Sequence, residues 1–375
     1  MSREHLKHGN RLYFMNDKNI RDGLVAQKVK SEHLVKFLQD KGIFVDLNSS
    51  KELLVNIVQT MRFDYFDYVY LSSLLEHHDK RDHQSMTELP TQFSSGKVNT
   101  AADNVRKSLA DEEIELKITT SGKKTIVEMD YIDTDYSKAP MRQRTPRKGK
   151  IEIDFSSGTE TSLQFPATEV GKKVKELLVK EMNNMLQEVV IPIEIDFEHE
   201  THSKRNEFFT SLLELPDYDL YDVVNVSVRE ATGQGNEGNE EDGDVTGELR
   251  NAALSGKNLL ESNVYQGLAR TRYNIYRISW KLRKIQVIKK TSDGDEEILT
   301  SSSEHSDCFT IEAKFEDKDR SKGFSYNIKT VQRYNDSKSR LNVTTGKLDK
   351  SEVEELSKVL YKHAVETFTS LTSGV

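Results

Sequence analysis

A chain of 375 residues with 35% hydrophobic and 31% charged side chains is long enough for two or three structural units and belongs in the globular class, which excludes a wholly disordered or fibrous protein. No run approaches the ~18 uncharged apolar residues that a membrane span requires, and residues 1–10 lack the apolar stretch of a signal peptide, so no membrane partner and a cytoplasmic location are expected. The single cysteine, Cys308, excludes an intrachain disulfide and a cysteine-rich metal site.

The net charge of −8 argues against a protein that coats nucleic acid over its whole surface, but it hides segregation. Lys/Arg against Asp/Glu run 9 to 6 over residues 1–50, 8 to 23 over 151–250 and 9 to 5 over 251–300. A field of that unevenness can steer an anionic partner to one face.

The first elements are helical. Leu34, Val35, Phe37 and Leu38 recur at helical spacing before Gly42 and Ile43, a left-handed stop, and Leu53, Leu54, Ile57, Val58 and Met61 do so after it. Ser49 with Glu52 has the spacing of a capping box for the second helix. A third helix is expected from Tyr65 to about Glu76, with its aromatics in the core. These form a helical N-terminal module, 1–82. From 83 to 110 Ser, Thr, Gln, Asn and Asp dominate, and a linker is expected. His77, His78 and His83 beside Asp79 and Asp82 are read as a solvated helix end; no metal and no cofactor are expected.

Ile114 to Ile118 and Thr125 to Met129 alternate around Ser121-Gly122 as a hairpin. A strand at 151–155, a helix with Val170, Val174, Leu177, Leu178, Met182 and Met185 on one face, and a strand at 189–197 complete an α+β unit over 111–230. Residues 231–262, rich in Gly, Asp and Glu, are expected to be a disordered acidic loop. Strands from Tyr273 to about Val343 and a helix at 351–371, with a capping box of Ser351 and Glu354 and an apolar face of Val353, Leu356, Leu360, Ala364 and Phe368, make a second unit over 263–375. Both units open on Ile-Glu-x-Lys, at Ile114–Lys117 and Ile311–Lys314. The fold class is therefore α+β: a helical module followed by one or two mixed or antiparallel sheet units, each closed by an amphipathic helix.

Segment 31–61 resembles the SAP family of helix–extension–helix modules that bind duplex DNA. The matching residues are Leu34 and Leu38, Gly42-Ile43 at the bend, and Lys51, Leu54, Ile57 and Val58; Ser50 stands where the family usually has Gly, and no basic residue occurs over 56–61. The resemblance implies that Lys51 and the amides at the second helix's N-terminus meet a phosphate. An equal reading is a helical hairpin used for packing or protein contact.

The most informative stretch is 265–290, where Arg270, Arg272, Arg277, Lys281, Arg283, Lys284, Lys289 and Lys290 occur with no acid. In strand register Tyr276, Ile278, Trp280 and Leu282 take one side and Arg277, Ser279, Lys281 and Arg283 the other. Such a row of cations can neutralise successive phosphates, and Trp280 or Tyr276 can stack on a base only if its side of the sheet is open. Alternatively the basic face is solvated and pairs with the acidic loop. A basic arm, Lys138, Arg142, Arg144, Arg147, Lys148 and Lys150, adds to the cationic inventory.

Glu312-x-Lys314 is similar to half of a restriction-type nuclease site, which also needs a second acid near Glu312; Asp293 and Asp295 lie in an apparent turn instead. No phosphate-binding loop, nucleophile elbow or zinc helix is present. The leading expectation is a noncatalytic nucleic-acid-binding accessory protein of a larger complex, with DNA expected as its ligand before RNA and with a protein partner. The alternatives are an adaptor that contacts proteins only and, third, a Mg²⁺-dependent nuclease.

Overall fold

Apolar residues one helical turn apart build the first core. In the computed structural model, which describes residues 16–26, 29–75, 82–134, 144–186, 189–230, 251–256, 259, 273–291 and 297–373, the chain opens with α1 (Asp17–Ala26), α2 (Ser31–Asp40), α3 (Lys51–Gln59) and α4 (Tyr65–Leu75). Ile20, Leu24, Leu34, Leu38, Leu54 and Val58 are buried against one another. The chain as a whole divides into two compact units, one of Met1–Lys80, Arg106–Lys117 and Glu128–Gly149, the other of Arg81–Val105, Ile118–Val127 and Lys150–Val375.

Helix α2 stops where the sequence indicates. Gly42 takes φ +77°, its N–H donates to the Gln39 carbonyl at 2.8 Å, and the Ile43 N–H donates to the Leu38 carbonyl at 2.8 Å, the paired bonds of a Schellman turn. The next cap corrects the sequence reading: Ser50, one residue later than Ser49, accepts from the Leu53 N–H. Ser50→Ala is expected to lower stability by about 1 kcal/mol in urea unfolding, the usual worth of such a cap. Tyr70 stacks on Phe37 at 5.8 Å, as expected of a core aromatic, but Phe66 is 78% exposed.

The second core lies against a ten-stranded sheet. Its strands are β1 (Gln84–Leu89), β2 (Ile114–Ser121), β3 (Lys124–Thr134), β4 (Arg144–Asp154), β5 (Thr161–Pro166), β6 (Tyr218–Glu230), β7 (Asn251–Ser255), β8 (Tyr273–Lys284), β11 (Cys308–Asp317) and β12 (Lys322–Gln332), in the order β2-β3-β4-β5-β1-β12-β11-β8-β6-β7. Two small ribbons stand apart, β9 (Gln286–Thr291) with β10 (Glu297–Ser302) and β13 (Tyr334–Asn335) with β14 (Arg340–Leu341). Helix α5 (Ser95–Ser108) follows β1, α6 (Glu169–Asn183) follows β5, α7 (His202–Ser211) precedes β6, and α8 (Lys350–Thr372) ends the described chain. Ile275, Ile278, Trp280, Ile311, Phe315, Phe324 and Tyr326 from the sheet pack with Phe208 and Phe209 of α7 and Leu356, Leu360 and Ala364 of α8. The protein is thus α+β, and among the described residues no helix is long and apolar enough to cross a membrane.

Several expectations are overturned. Residues 83–110 are not a linker: β1 sits in the sheet between β5 and β12, and α5 buries Val98, Ala101, Ala102 and Val105. The polar composition of β1 is compatible with burial because Ser85 Oγ donates to the Phe324 carbonyl at 2.7 Å and Thr87 Oγ1 to the Ile193 carbonyl at 3.1 Å, so the hydroxyls are satisfied. Because β1 joins β5 to β12, the strands expected in two separate units belong to one sheet. Residues 189–197 are not a strand; they make isolated bridges at Ile193 and Asp196 and leave Val189 and Ile191 exposed. Of the expected acidic loop, 251–255 form β7, paired with β6, whereas 231–250 lie outside the described residues. The last helix is capped by Asp349 and Glu352 rather than Ser351 and Glu354. Its apolar face stands as read, with Leu356, Leu360 and Ala364 buried and Val353 and Phe368 packed beside them.

Gly171 permits the junction of β5 and α6. A Cβ there would lie 2.1 Å from the Pro166 carbonyl oxygen, closer than any non-bonded contact allows. Gly171→Ala is therefore expected to cost about 1–3 kcal/mol, the range for overpacking, visible as a lowered thermal midpoint.

Candidate nucleic-acid interface

Side chains alternate across β8, β11 and β12, so each strand that gives apolar residues to the α7/α8 core turns the intervening residues to the opposite face. On β8, Ile278, Trp280 and Leu282 are buried while Arg277, Lys281 and Arg283 are half-buried on the other side. Trp280 is fully buried, so its ring is unable to stack on a base. Tyr276 departs from the expected alternation. The pairing with β6 passes from Ser227 opposite Arg277 to Val228 opposite Ile275, a β-bulge that gives the core position to Ile275 and leaves Tyr276 half-buried, with the Lys318 ammonium 5.9 Å from its ring centre.

The open face is organised by one acid. Glu312, opposite Ser279 of β8 and Asn327 of β12, is only 2% exposed. Its Oε2 accepts from Arg277 Nε at 2.8 Å and from Lys329 Nζ at 2.6 Å, and Arg277 Nη2 lies 2.6 Å from the same oxygen. Its Oε1 is 3.0 Å from His83 Nε2; since a carboxylate only accepts, that imidazole nitrogen carries the proton. Burial alone would raise the Glu312 pKa, but bonds from His83, Lys329 and Arg277 outweigh it and hold the carboxyl down to about 2. The group stays ionised across the physiological range.

The cations named from the sequence divide. Arg277, Lys281 and Arg283 share this face: Lys281 Nζ reaches Gln332 Oε1 at 3.4 Å, and Arg283 donates to the Glu304 carbonyl at 3.0 Å with its guanidinium 4.4 Å from the Tyr221 ring centre. Lys284 instead bonds Glu355 of α8 at 2.5 Å. Lys51 is the first residue of α3 and belongs to the other compact unit. Arg147, also in that unit, is 3.5 Å from Asp133. Arg144 begins β4, though its side chain, like Arg142, Arg270, Arg272, His77, His78, Asp293 and Asp295, lies outside the described residues.

Sequence reasoning passed over Lys329 and His83 as partners of Glu312. The only signal was the placement of an acid in a strand rich in apolar residues; the partners come from β12 and from the residue before β1, far apart in the chain. The same contacts bear on the nuclease reading. Both oxygens of Glu312 are engaged by cationic or N–H donors, and Lys314 pairs with Glu316 at 3.0 Å, so neither residue is arranged as a metal ligand with an activating lysine. Among the described residues no three His, Cys, Asp or Glu side chains are grouped to hold a metal. Cys308 is buried, and burial pushes its thiol pKa up, as fits an inert strand residue.

Fold and site together describe an α+β protein with a helical N-terminal part and a broad antiparallel sheet on which Arg277, Lys281, Arg283 and Lys329 surround a buried carboxylate, with Asp219 and Asp222 of β6 opposite Arg283 and Lys281. Residues 18–81 match the model of a family described as the GAPS4b protein N-terminal domain. No curated protein matches the chain.

Proposed function

We infer that the protein binds nucleic acid without cleaving it, as an accessory subunit of a larger complex, and that the open face of β8, β11 and β12 is the contact surface. The observation that carries this reading is the alignment of Arg277, Lys281 and Arg283 on one strand face, with Lys329 beside them. Alternate residues of a strand lie roughly 6.7 Å apart, so the row can address several phosphates of one backbone. DNA is the expected ligand, on the resemblance of segment 31–61 to modules that bind duplex DNA. The helix–extension–helix geometry of α2 and α3, with Lys51 and the cap at Ser50 opening α3, supports a second phosphate contact of the SAP kind.

Fluorescence anisotropy with duplex DNA, single-stranded DNA and RNA across a salt series tests the reading. Arg277→Glu/Lys281→Glu/Arg283→Glu is expected to weaken binding by at least a hundredfold near 100 mM salt and to flatten the salt dependence by roughly 3 in the log–log slope, close to one unit for each lost phosphate contact. Equal binding by parent and variant would sink the assignment of this face, and no binding by the parent to any of the three at low salt would sink the function itself.

One observation favours an adaptor role. Phe44 and Leu47, between α2 and α3, Leu53 of α3 and Phe66 of α4 are exposed, Phe44 at 87%, and exposed apolar side chains of this kind suit a protein partner. If the parent binds no nucleic acid, Phe44→Ser/Phe66→Ser should abolish whatever complex the intact protein forms at native levels.

A further inference from the structure

We propose that Glu312 is the positioning residue of a phosphate receptor on the open sheet face, holding Arg277 and Lys329 so that their outward donors meet one phosphate group, with His83 bonded to its other oxygen. The inference rests on the nucleic-acid reading for its biological ligand, but its chemistry is that of any phosphate anion.

The geometry is that of a tethered cluster. Arg277 and Lys329 both bond the same oxygen, Oε2, at 2.6 Å, so the two cationic nitrogens are at most about 5 Å apart, within reach of adjacent oxygens of one phosphate. They come from strands on either side of β11 and would separate by mutual repulsion without the acid between them. His83 is fixed from a third direction through Oε1. Each cation spends only part of its donor set on Glu312. The guanidinium has five N–H groups, of which two nitrogens face the acid, and the ammonium has three; His83, whose Nε2 proton goes to Glu312, serves to hold the carboxylate rather than to meet the anion. The side chains of Arg277 and Lys329 remain 42% and 35% exposed while that of Glu312 is 3% exposed. The acid is therefore covered by its own partners and the cations form the outer layer. Alternation along β12 puts Lys329 on this face with Ser325 and Asn327, because Phe324, Tyr326 and Ile328 take the core side, and the β11–β12 register skips it at a β-bulge, passing from Thr310 opposite Thr330 to Ile311 opposite Ile328. Two cations and one acid leave the cluster net positive even with His83 neutral.

Two physical effects predict opposite signs for Glu312→Gln, and this makes the proposal testable. As a plain charge, Glu312 repels an anion, so its neutralisation should tighten binding. As a positioning residue it holds the donors together, so neutralisation should weaken binding although the face becomes more positive. The experiment uses the full chain, with inorganic tripolyphosphate by titration calorimetry and a single-stranded or duplex oligonucleotide by anisotropy, for the parent, Glu312→Gln, Arg277→Lys and the remote control Lys362→Gln on α8. The expected result is about a tenfold loss for Glu312→Gln with both probes, a threefold to tenfold loss for Arg277→Lys, which keeps the charge but gives up the planar fork, and no change for Lys362→Gln.

Tighter or unchanged binding by Glu312→Gln overturns the proposal while leaving the nucleic-acid face intact. Tripolyphosphate binding that weakens in Glu312→Gln without any oligonucleotide binding keeps the receptor and removes the nucleic-acid reading. Binding of neither probe by the parent removes both. Circular dichroism establishes that each variant is folded, and if Glu312→Gln is not, Arg277→Lys decides: unchanged affinity there overturns the proposal.

Discussion

Replacing Glu312 by alanine is expected to lower stability by about 3 kcal/mol at pH 7, the worth of a buried carboxylate whose pKa is depressed on folding. The variant would strand Arg277, Lys329 and His83, all of which bond the lost carboxylate. The pH dependence of the effect separates it from a packing defect. The Glu312 pKa falls from an ordinary 4.5 in the unfolded chain to about 2 in the fold. A depressed carboxyl contributes stability that is complete above about pH 4.5 and is lost as pH falls through about 2, because the unfolded chain takes up the proton first. Two and a half units correspond to about 3 kcal/mol. Urea unfolding of parent and Glu312→Ala between pH 7 and pH 2 should thus show two midpoints that converge as the parent acidifies. A constant gap over that window would mean that the carboxylate's charge is not what stabilises the sheet.

Trp280→Ala is expected to cost about 3–5 kcal/mol, the range for removing a large aromatic from a packed core. Trp280 is fully buried in the cluster formed by β6, β8, β11, β12, α7 and α8, on the side of the strand opposite Arg277 and Lys281. The lost stability should be independent of pH between 5 and 8, and any residual folded fraction should bind phosphate probes as the parent does. A loss below about 1 kcal/mol, read from urea midpoints at constant slope, would place the indole outside the core.

How far these features were legible in the sequence differs with the range of the interaction involved. The basic row of β8 was legible because alternation is a local property: Arg277, Lys281 and Arg283 had to share a side once 273–284 was a strand. The same rule misplaced Tyr276, since a β-bulge depends on the pairing with β6 and leaves no mark in a period of two. Strand β1 was missed because Ser and Thr in a sheet interior look like loop residues until the carbonyls of Phe324 and Ile193 are brought to their hydroxyls. Helix α5 carried a signal that composition obscured: Val98, Ala101, Ala102 and Val105 have helical spacing, but two of the four are alanines.

The sequence by itself determined the α+β class, the helical opening with its Gly42 turn, the hairpin about Gly122, the amphipathic final helix and the cationic side of β8. All of these follow from periodicity or from the conformational demand of a single residue, which neighbours a few positions away can satisfy. Only the tertiary structure decided that β1 joins the strands of both expected units into one sheet, that Trp280 belongs to the core, and that Glu312 gathers Arg277, Lys329 and His83. Those partners stand 35, 17 and 229 positions from Glu312, and a bond between residues so far apart is fixed by strand order and register, which no local pattern encodes.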